Sequence, residues 1–186
     1  QRGPGPDAER WPRWVRSEGS ISAREIDAEL QAASPEWAVR DAWRRRVEAY
    51  HARVLADSDQ ADLRGLVAAI NHHRQQVGLR VLIWNERLSN AAREQAERCR
   101  SAGRLDHQLG GSPARRARRA GFTGSGVQEV LFASGDARPD SRTVFEAWLS
   151  SPEHYAALLD EEAESVGAGH SRDLGRRFWA ALLGQR

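Results

Sequence analysis

Arg177-Phe178-Trp179-Ala180-Ala181-Leu182-Leu183, near the C-terminal end, is the stretch that decides the fold. Successive side chains of a strand point to opposite faces, so Phe178, Ala180 and Leu182 form one row. Trp179, Ala181 and Leu183 form the other, and both rows are apolar. A strand that is apolar on both faces needs cover on both, so helices are expected above and below its sheet. Ser165 to Ser171, followed by a turn near Asp173 and Gly175, reads as its hairpin partner. Val127 to Ala133 reads as a further strand.

Helical signals occupy most of the remaining chain. Leu63, Leu66, Val67, Ile70 and Val77 mark a helix that starts at Asp62 and runs into Gly78, a residue suited to a C-cap. An extended piece, Leu79 to Trp84, leads to a helix of about Leu88 to Ala102, stopped by Gly103. Beyond His107 in a loop, a Pro-started helix covers Ser112 to Ala120 and closes at Gly121. Two more helices are expected, one containing Thr143 to Leu149 and one from Ser151-Pro152 to Leu159. Helices first and then a few strands with long connections indicate the α+β class rather than repeated βαβ units.

Ahead of Asp62 the chain changes character. Residues 1–20 are rich in Pro, Gly and Arg and read as a flexible tail, although Trp11 and Trp14 offer an alternative as surface anchors. Residues 21–61 read as a helical extension. Ser22 with Glu25 forms a capping box, and Ile21 with Ile26 a hydrophobic staple, for a helix of about Ala23 to Ala33. Ser34 and Pro35 then start a second helix, on which Val39, Trp43, Val47, Tyr50 and Val54 draw one apolar stripe. That stripe is a candidate surface for a protein partner.

Composition narrows the classes. All 28 basic residues are Arg, against 26 acidic ones, for a net charge of +2. Arg does not titrate in the accessible range, so a small excess makes the isoelectric point alkaline. It therefore gives no reason to expect nucleic-acid binding. The single Cys99 excludes an internal disulfide framework and falls in a helical apolar row with Leu88, Ala92 and Ala96. No apolar run is long enough to span a bilayer. A chain that starts at Gln1 and has no Met reads as a processed product.

An ordered set of short motifs resembles the bacterial branch of the CAP superfamily, the cysteine-rich secretory, antigen and pathogenesis-related (SCP-like) proteins. The set begins with Leu66-Val67-Ala68-Ala69-Ile70-Asn71 and Arg74, then Leu82 and Trp84-Asn85. It continues through Leu88, Ala91-Ala92, Ala96, His107 and Ala120-Gly121-Phe122. Gly126-Val127-Gln128-Glu129-Val130 is similar to the family's Gly-Glu-Asn strand. Trp148-Leu149-Ser150-Ser151-Pro152-Glu153-His154-Tyr155 is similar to its Trp-x-x-Ser-Pro-Gly-His-Arg segment. Val166-Gly167-Ala168-Gly169 and Phe178-Trp179 complete it.

The resemblance covers residues 62–186 and implies an αβα sandwich, with a small antiparallel sheet covered by helices on both faces. It also implies an exported, secreted or cell-envelope protein whose groove carries His and Glu residues. Expected occupants of that groove are zinc or another divalent metal, a small lipid-like molecule, or a cell-envelope component. Two departures make the groove less polar: Val130 stands in place of the motif's Asn, and Ala180-Ala181 replace a Thr-Gln pair. Phe178 falls where eukaryotic members carry a second groove His.

The candidate site is therefore His107, Glu129 and His154. Glu129 lies in a strand row between Val127 and Leu131, where a buried carboxylate must find a cation, a hydrogen-bond partner or a wet cleft. It reads either as a structural ion pair or as a metal ligand or general base. His154 falls at the third position of its helix, where the helix dipole disfavours imidazolium and favours the neutral, metal-binding form. It reads as a ligand, as a catalytic group, or as a cap. Two His and one Glu match a three-ligand zinc site with an open position. The readings are thus a binding module, a metal-dependent hydrolase using Glu129 with His107 and His154, or a structural interaction domain. Glu146 and Ser151 are nearby in sequence, and His72, His73 and His170 are spare candidates. The Arg115, Arg116, Arg118, Arg119 cluster reads as a solvated helix face or as an attractor of an anionic lipid surface or polymer.

Overall fold

The computed structural model describes residues 37–135, 140–173 and 175–186, and only part of the side chains ahead of Ser58. The expected tail, the helix at 23–33 and the side chains of Val39, Trp43, Val47 and Val54 lie outside the described residues. Tyr50, the remaining member of that stripe, is exposed. The chain divides into two compact units, Gln1–Ala56 and Asp57–Arg186.

Helix α1 spans Trp37–Gln76 without a break. Two helices meeting near Asp62 were expected, but neither Gly nor Pro occurs between Pro35 and Gly65 to end the first. Val77 and Gly78, the latter at φ 82°, close the helix. The chain then turns back along α1, and Asn71 clips it there. Asn71 Nδ2 donates to Leu82 O at 3.0 Å, and Leu82 N donates to Asn71 Oδ1 at 2.7 Å.

The short strand β1 (Ile83–Trp84) leads into α2 (Glu86–Ala102). Asn85 caps α2 through Arg87 N and Leu88 N, and Gly103 ends it at φ 66°. Then follow α3 (Pro113–Arg119), β2 (Val127–Ser134), α4 (Ser141–Leu149) and α5 (Pro152–Leu158). The hairpin of β3 (Ala163–Arg172) and β4 (Arg177–Gln185) completes the order.

The sheet order is β1-β3-β4-β2, so the last strand in sequence is central. β2–β4 and β3–β4 are antiparallel, with Glu129 opposite Leu182 and Gly167 also opposite Leu182. β1 joins β3 in parallel, which makes the sheet mixed rather than wholly antiparallel. The two rows of β4 separate two cores, as its sequence demands. Phe178, Ala180 and Leu182 pack with Leu88, Ala91, Ala92, Ala96 and Cys99 of α2. Trp179, Ala181 and Leu183 pack with Leu66 and Ile70 of α1 and Val144 and Trp148 of α4. The result is the α+β sandwich expected from the strand pattern.

Close approach of α2 to the sheet depends on two glycines of β3. A Cβ at Gly167 would overlap Ser89 N, and one at Gly169 would overlap Arg93 N. Ser89 Oγ donates to Ala168 O between them at 2.7 Å. Gly167→Ala must push a helix off a packed layer and is expected to cost about 1–3 kcal/mol or more. Urea unfolding measures it, and a change within about 0.5 kcal/mol, the range of a harmless surface substitution, would show that this contact does not set the layer spacing.

Candidate functional site

The site grows from the loop that follows α2. Gly103 releases the helix, and Asp106 shapes the turn by accepting Gln108 N at 2.8 Å. Buried Gln95 anchors the same turn through Asp106 O at 2.7 Å. His107 is presented between these two attachments, with its side chain 48% exposed.

Glu129 comes from β2, in the row that faces α2 and α3, and its side chain is 1% exposed. A carboxylate this deeply placed requires a compensating charge. Arg116 of α3, wholly buried, supplies it by an ion pair to Glu129 Oε2. The same guanidinium donates to the carbonyls of His107 at 2.9 Å and Leu109 at 3.2 Å, and to Gly111 O. Arg116 therefore does not belong to a solvated face with its neighbours: it points inward and knits the His107 loop to the sheet.

The second oxygen, Glu129 Oε1, lies 2.8 Å from His107 Nδ1. A carboxylate can only accept, so Nδ1 carries the proton of this bond. Nε2 of His107 has no hydrogen-bond partner among the described residues. The bond to Glu129 raises the His107 pKa, outweighing burial, which acts the other way. His154, third residue of α5, is half-buried. Its pKa is lowered, first by burial and then by the charge of His107. The direction is the one its helix position suggested, with desolvation as the leading cause. Ser151 occupies the N-cap position, but its hydroxyl makes no capping bond.

His107 and Glu129 are thus in contact, and His154 is near enough to sense the charge of His107. The three do not form a set with ligating atoms all within 4.8 Å of one another. Among the described residues that spacing is met by Asp59, Asp62 and His170. Sequence reasoning named His170 alone. The Asp59-x-x-Asp62 pair on α1 lies more than a hundred residues upstream, and only its helical spacing on one face hinted at a shared target. Arg177 occupies the middle of this cluster. It donates to Asp59 Oδ1 at 3.0 Å, Asp62 Oδ2 at 3.1 Å and His170 Nε2 at 2.7 Å. Burial and the charge of Arg177 hold the His170 pKa down to about 4. His170 is therefore neutral, and Asp59 Oδ1 at 3.3 Å is its neighbour rather than its ion-pair partner. The spacing suits a metal, but a guanidinium already serves its donor atoms.

The other candidates lie elsewhere. Glu146 pairs with Arg142 in solvent at 2.7 Å. His72 meets Gln76 at 3.1 Å, and His73 packs edge-on to Phe145 and Tyr155. Val130, Phe178, Ala180 and Ala181 are fully buried and belong to the two cores. Cys99 is fully buried as well, with its thiol pKa raised by burial. A separate open cavity of about 360 Å³ is lined by Ile83, Asn85, Phe122, Glu164, Ser165 and Arg186.

The fold agrees with what known proteins show. The model of the cysteine-rich secretory protein family, CAP, matches residues 67–183, and the chain belongs to this family. No curated protein matches. Among solved structures, the chain is similar to an outer surface protein of Borrelia burgdorferi, at 23% identity and TM-score 0.62. That likeness covers 68% of this chain and 93% of the other. An extracellular SCP-domain protein of Bacillus anthracis is similar at 18% identity and TM-score 0.62, over 69% of this chain and 41% of that one. A cysteine-rich secretory protein of Staphylococcus aureus is similar at 18% identity and TM-score 0.57, over 69% and 39%. At these identities the likeness concerns the fold. Among the described residues no helix is long and apolar enough to cross a membrane.

Two outcomes are expected from these charge arrangements. Arg116→Met leaves the Glu129 carboxylate buried without its guanidinium and should cost about 3–5 kcal/mol. A loss below about 1 kcal/mol in urea unfolding would refute the pair's structural weight. His170 has a folded pKa below its unfolded value, so the unfolded chain takes up its proton first as the pH falls. The stability it contributes is complete above about pH 6.5 and is lost towards pH 4, about 3 kcal/mol in all. The pH dependence of unfolding in His170→Gln should lack that component, and an unchanged slope would count against it.

Proposed function

We propose that this domain is an exported binding module that holds a divalent metal, zinc in the first instance, between His107 and His154. The observation that supports this reading most is the bond from His107 Nδ1 to Glu129 Oε1, which leaves Nε2 as the open nitrogen. Metal-bearing histidines are characteristically oriented in this way by a carboxylate on the other ring nitrogen. His154, kept neutral by burial, offers the second imidazole in the form a metal accepts. Water or a small ligand completes the coordination, which leaves the centre open.

In this reading Glu129 orients His107 rather than acting as a third ligand, because Arg116 and His107 engage both its oxygens. The same engagement weighs against Glu129 as the general base of a hydrolase, since a base needs a free lone pair facing the reacting proton. Export is supported by the bacterial neighbours described as outer surface or extracellular proteins.

Calorimetric titration with zinc tests the proposal. The wild type should take up one ion, and His107→Ala or His154→Ala should lose most of the affinity. Glu129→Gln should weaken binding about 10–100-fold through the orienting bond. No uptake by the wild type at neutral pH would end the metal reading, and full affinity in His154→Ala would remove that residue from the site.

A further inference from the structure

From His107 to Gln128 the chain holds four Arg and no acidic residue, in a protein whose overall charge is nearly balanced. α3 sorts these four by direction. Arg116 is buried, whereas Arg115, Arg118 and Arg119 are exposed. At spacings of three and four these three lie on one face of the helix. Arg87, also exposed, reaches across from α2 to donate to Gly121 O at 2.8 Å, just past the end of α3. Arg119 Nη2 donates to Gly110 O at 2.9 Å on the loop alongside.

Exposed or half-exposed Arg98, Arg100, Arg104 and Arg142 each pair with a neighbouring carboxylate. Among the described residues, no carboxylate lies within 4.0 Å of Arg87, Arg115, Arg118 or Arg119. Exposed Arg80, Arg93 and Arg176 also lack a carboxylate partner among these residues, so what marks this patch is that four such cations are gathered on it. Like charges within one helical turn oppose each other, and this helix is only seven residues long. Its fold is secured instead by the inward Arg116, so the outer three are available to a partner. Guanidinium groups match phosphate oxygens in charge and in bidentate geometry.

We propose that the outer face of α3, with Arg87 at its end, binds a linear polymer of phosphate groups. Two features favour such a polymer over other polyanions. A helix that settles on a membrane sets Trp, Phe or Leu beside its cations, but apart from Arg α3 contains only Ala and Pro. Single-stranded nucleic acid is held on aromatic stacking platforms, and the one Phe, Tyr or Trp of residues 107–125, Phe122, is half-buried against the α2 core. The patch recognises repeated charge, without a base reader or a membrane anchor.

Inorganic polyphosphate of defined length is the probe, with affinity read by fluorescence anisotropy over a series of salt concentrations. The wild type should bind, and binding should weaken steeply with salt. Arg115→Gln, Arg118→Gln and Arg119→Gln combined should lower affinity roughly tenfold or more. The slope of log affinity against log salt should become shallower by about two. These exposed substitutions should leave the melting temperature unchanged, and Arg142→Gln, which removes a paired cation, should bind as wild type. Absence of polyphosphate binding, or equal affinity in the triple variant, overturns the proposal. So does tighter retention on vesicles of phosphatidylcholine and phosphatidylglycerol, or on single-stranded oligonucleotides, than on polyphosphate. None of these readouts depends on zinc, so this surface and the metal reading stand or fall separately.

Discussion

Burial of β4 on both faces is the constraint from which the rest of the domain follows. Its side chains from Phe178 to Leu183 have no exposed area, so two helical layers must close over one strand. α2 lies on one side, and α1 with α4 on the other. Since β4 is central, β2 and β3 are held at fixed distances on either side. Glu129 on β2 is thereby set under the loop that follows α2. The two-glycine row of β3 lets α2 sit close enough for that loop to reach the carboxylate.

Arginine supplies the polar fastening that the apolar layers cannot. Arg74 is fully buried and donates to the carbonyls of Arg80, Leu158 and Asp160, joining α1 to the turn before β3. Arg116 ties three loop carbonyls to Glu129, and Arg177 ties Asp59 and Asp62 of α1 to His170 of β3. A planar guanidinium has five donors in a fixed fork, so one side chain can serve several acceptors at once. A lysine could not hold such a set in one plane. The chain has no lysine, and its buried cations show what that choice permits.

The candidate site inherits its character from this arrangement. With Oε1 on His107 and Oε2 on Arg116, Glu129 acts on the site through the imidazole it orients. His107 gains a proton-favouring partner in Glu129, while burial and the charge of His107 disfavour the proton on His154. Two histidines of opposite tendency are therefore near enough for the charge of one to act on the other. The Arg177 cluster, with better spacing for a metal, is quieter chemically, because a guanidinium already neutralises its carboxylates.

Much of this was legible in the residues. The double apolar row of β4, the helix stop at Gly103 and the buried role of Cys99 are local or periodic properties, and the chain carries them openly. His107, Glu129 and His154 stood out only as parts of an ordered motif set, and of these folding puts His107 on Glu129. The inward turn of Arg116 was not, because a run of four Arg looks alike whichever member faces the core. The union of Asp59, Asp62, His170 and Arg177 was equally hidden, since a helix near one end of the domain meets a hairpin near the other only after packing. From the sequence by itself, the apolar rows and most helix ends could be read from neighbours two to four residues away, although the start of a helix at Asp62 could not, since α1 runs through it. Tertiary structure alone decided which charges meet, because a buried charge takes its partner from whatever the folded layers bring within hydrogen-bond reach.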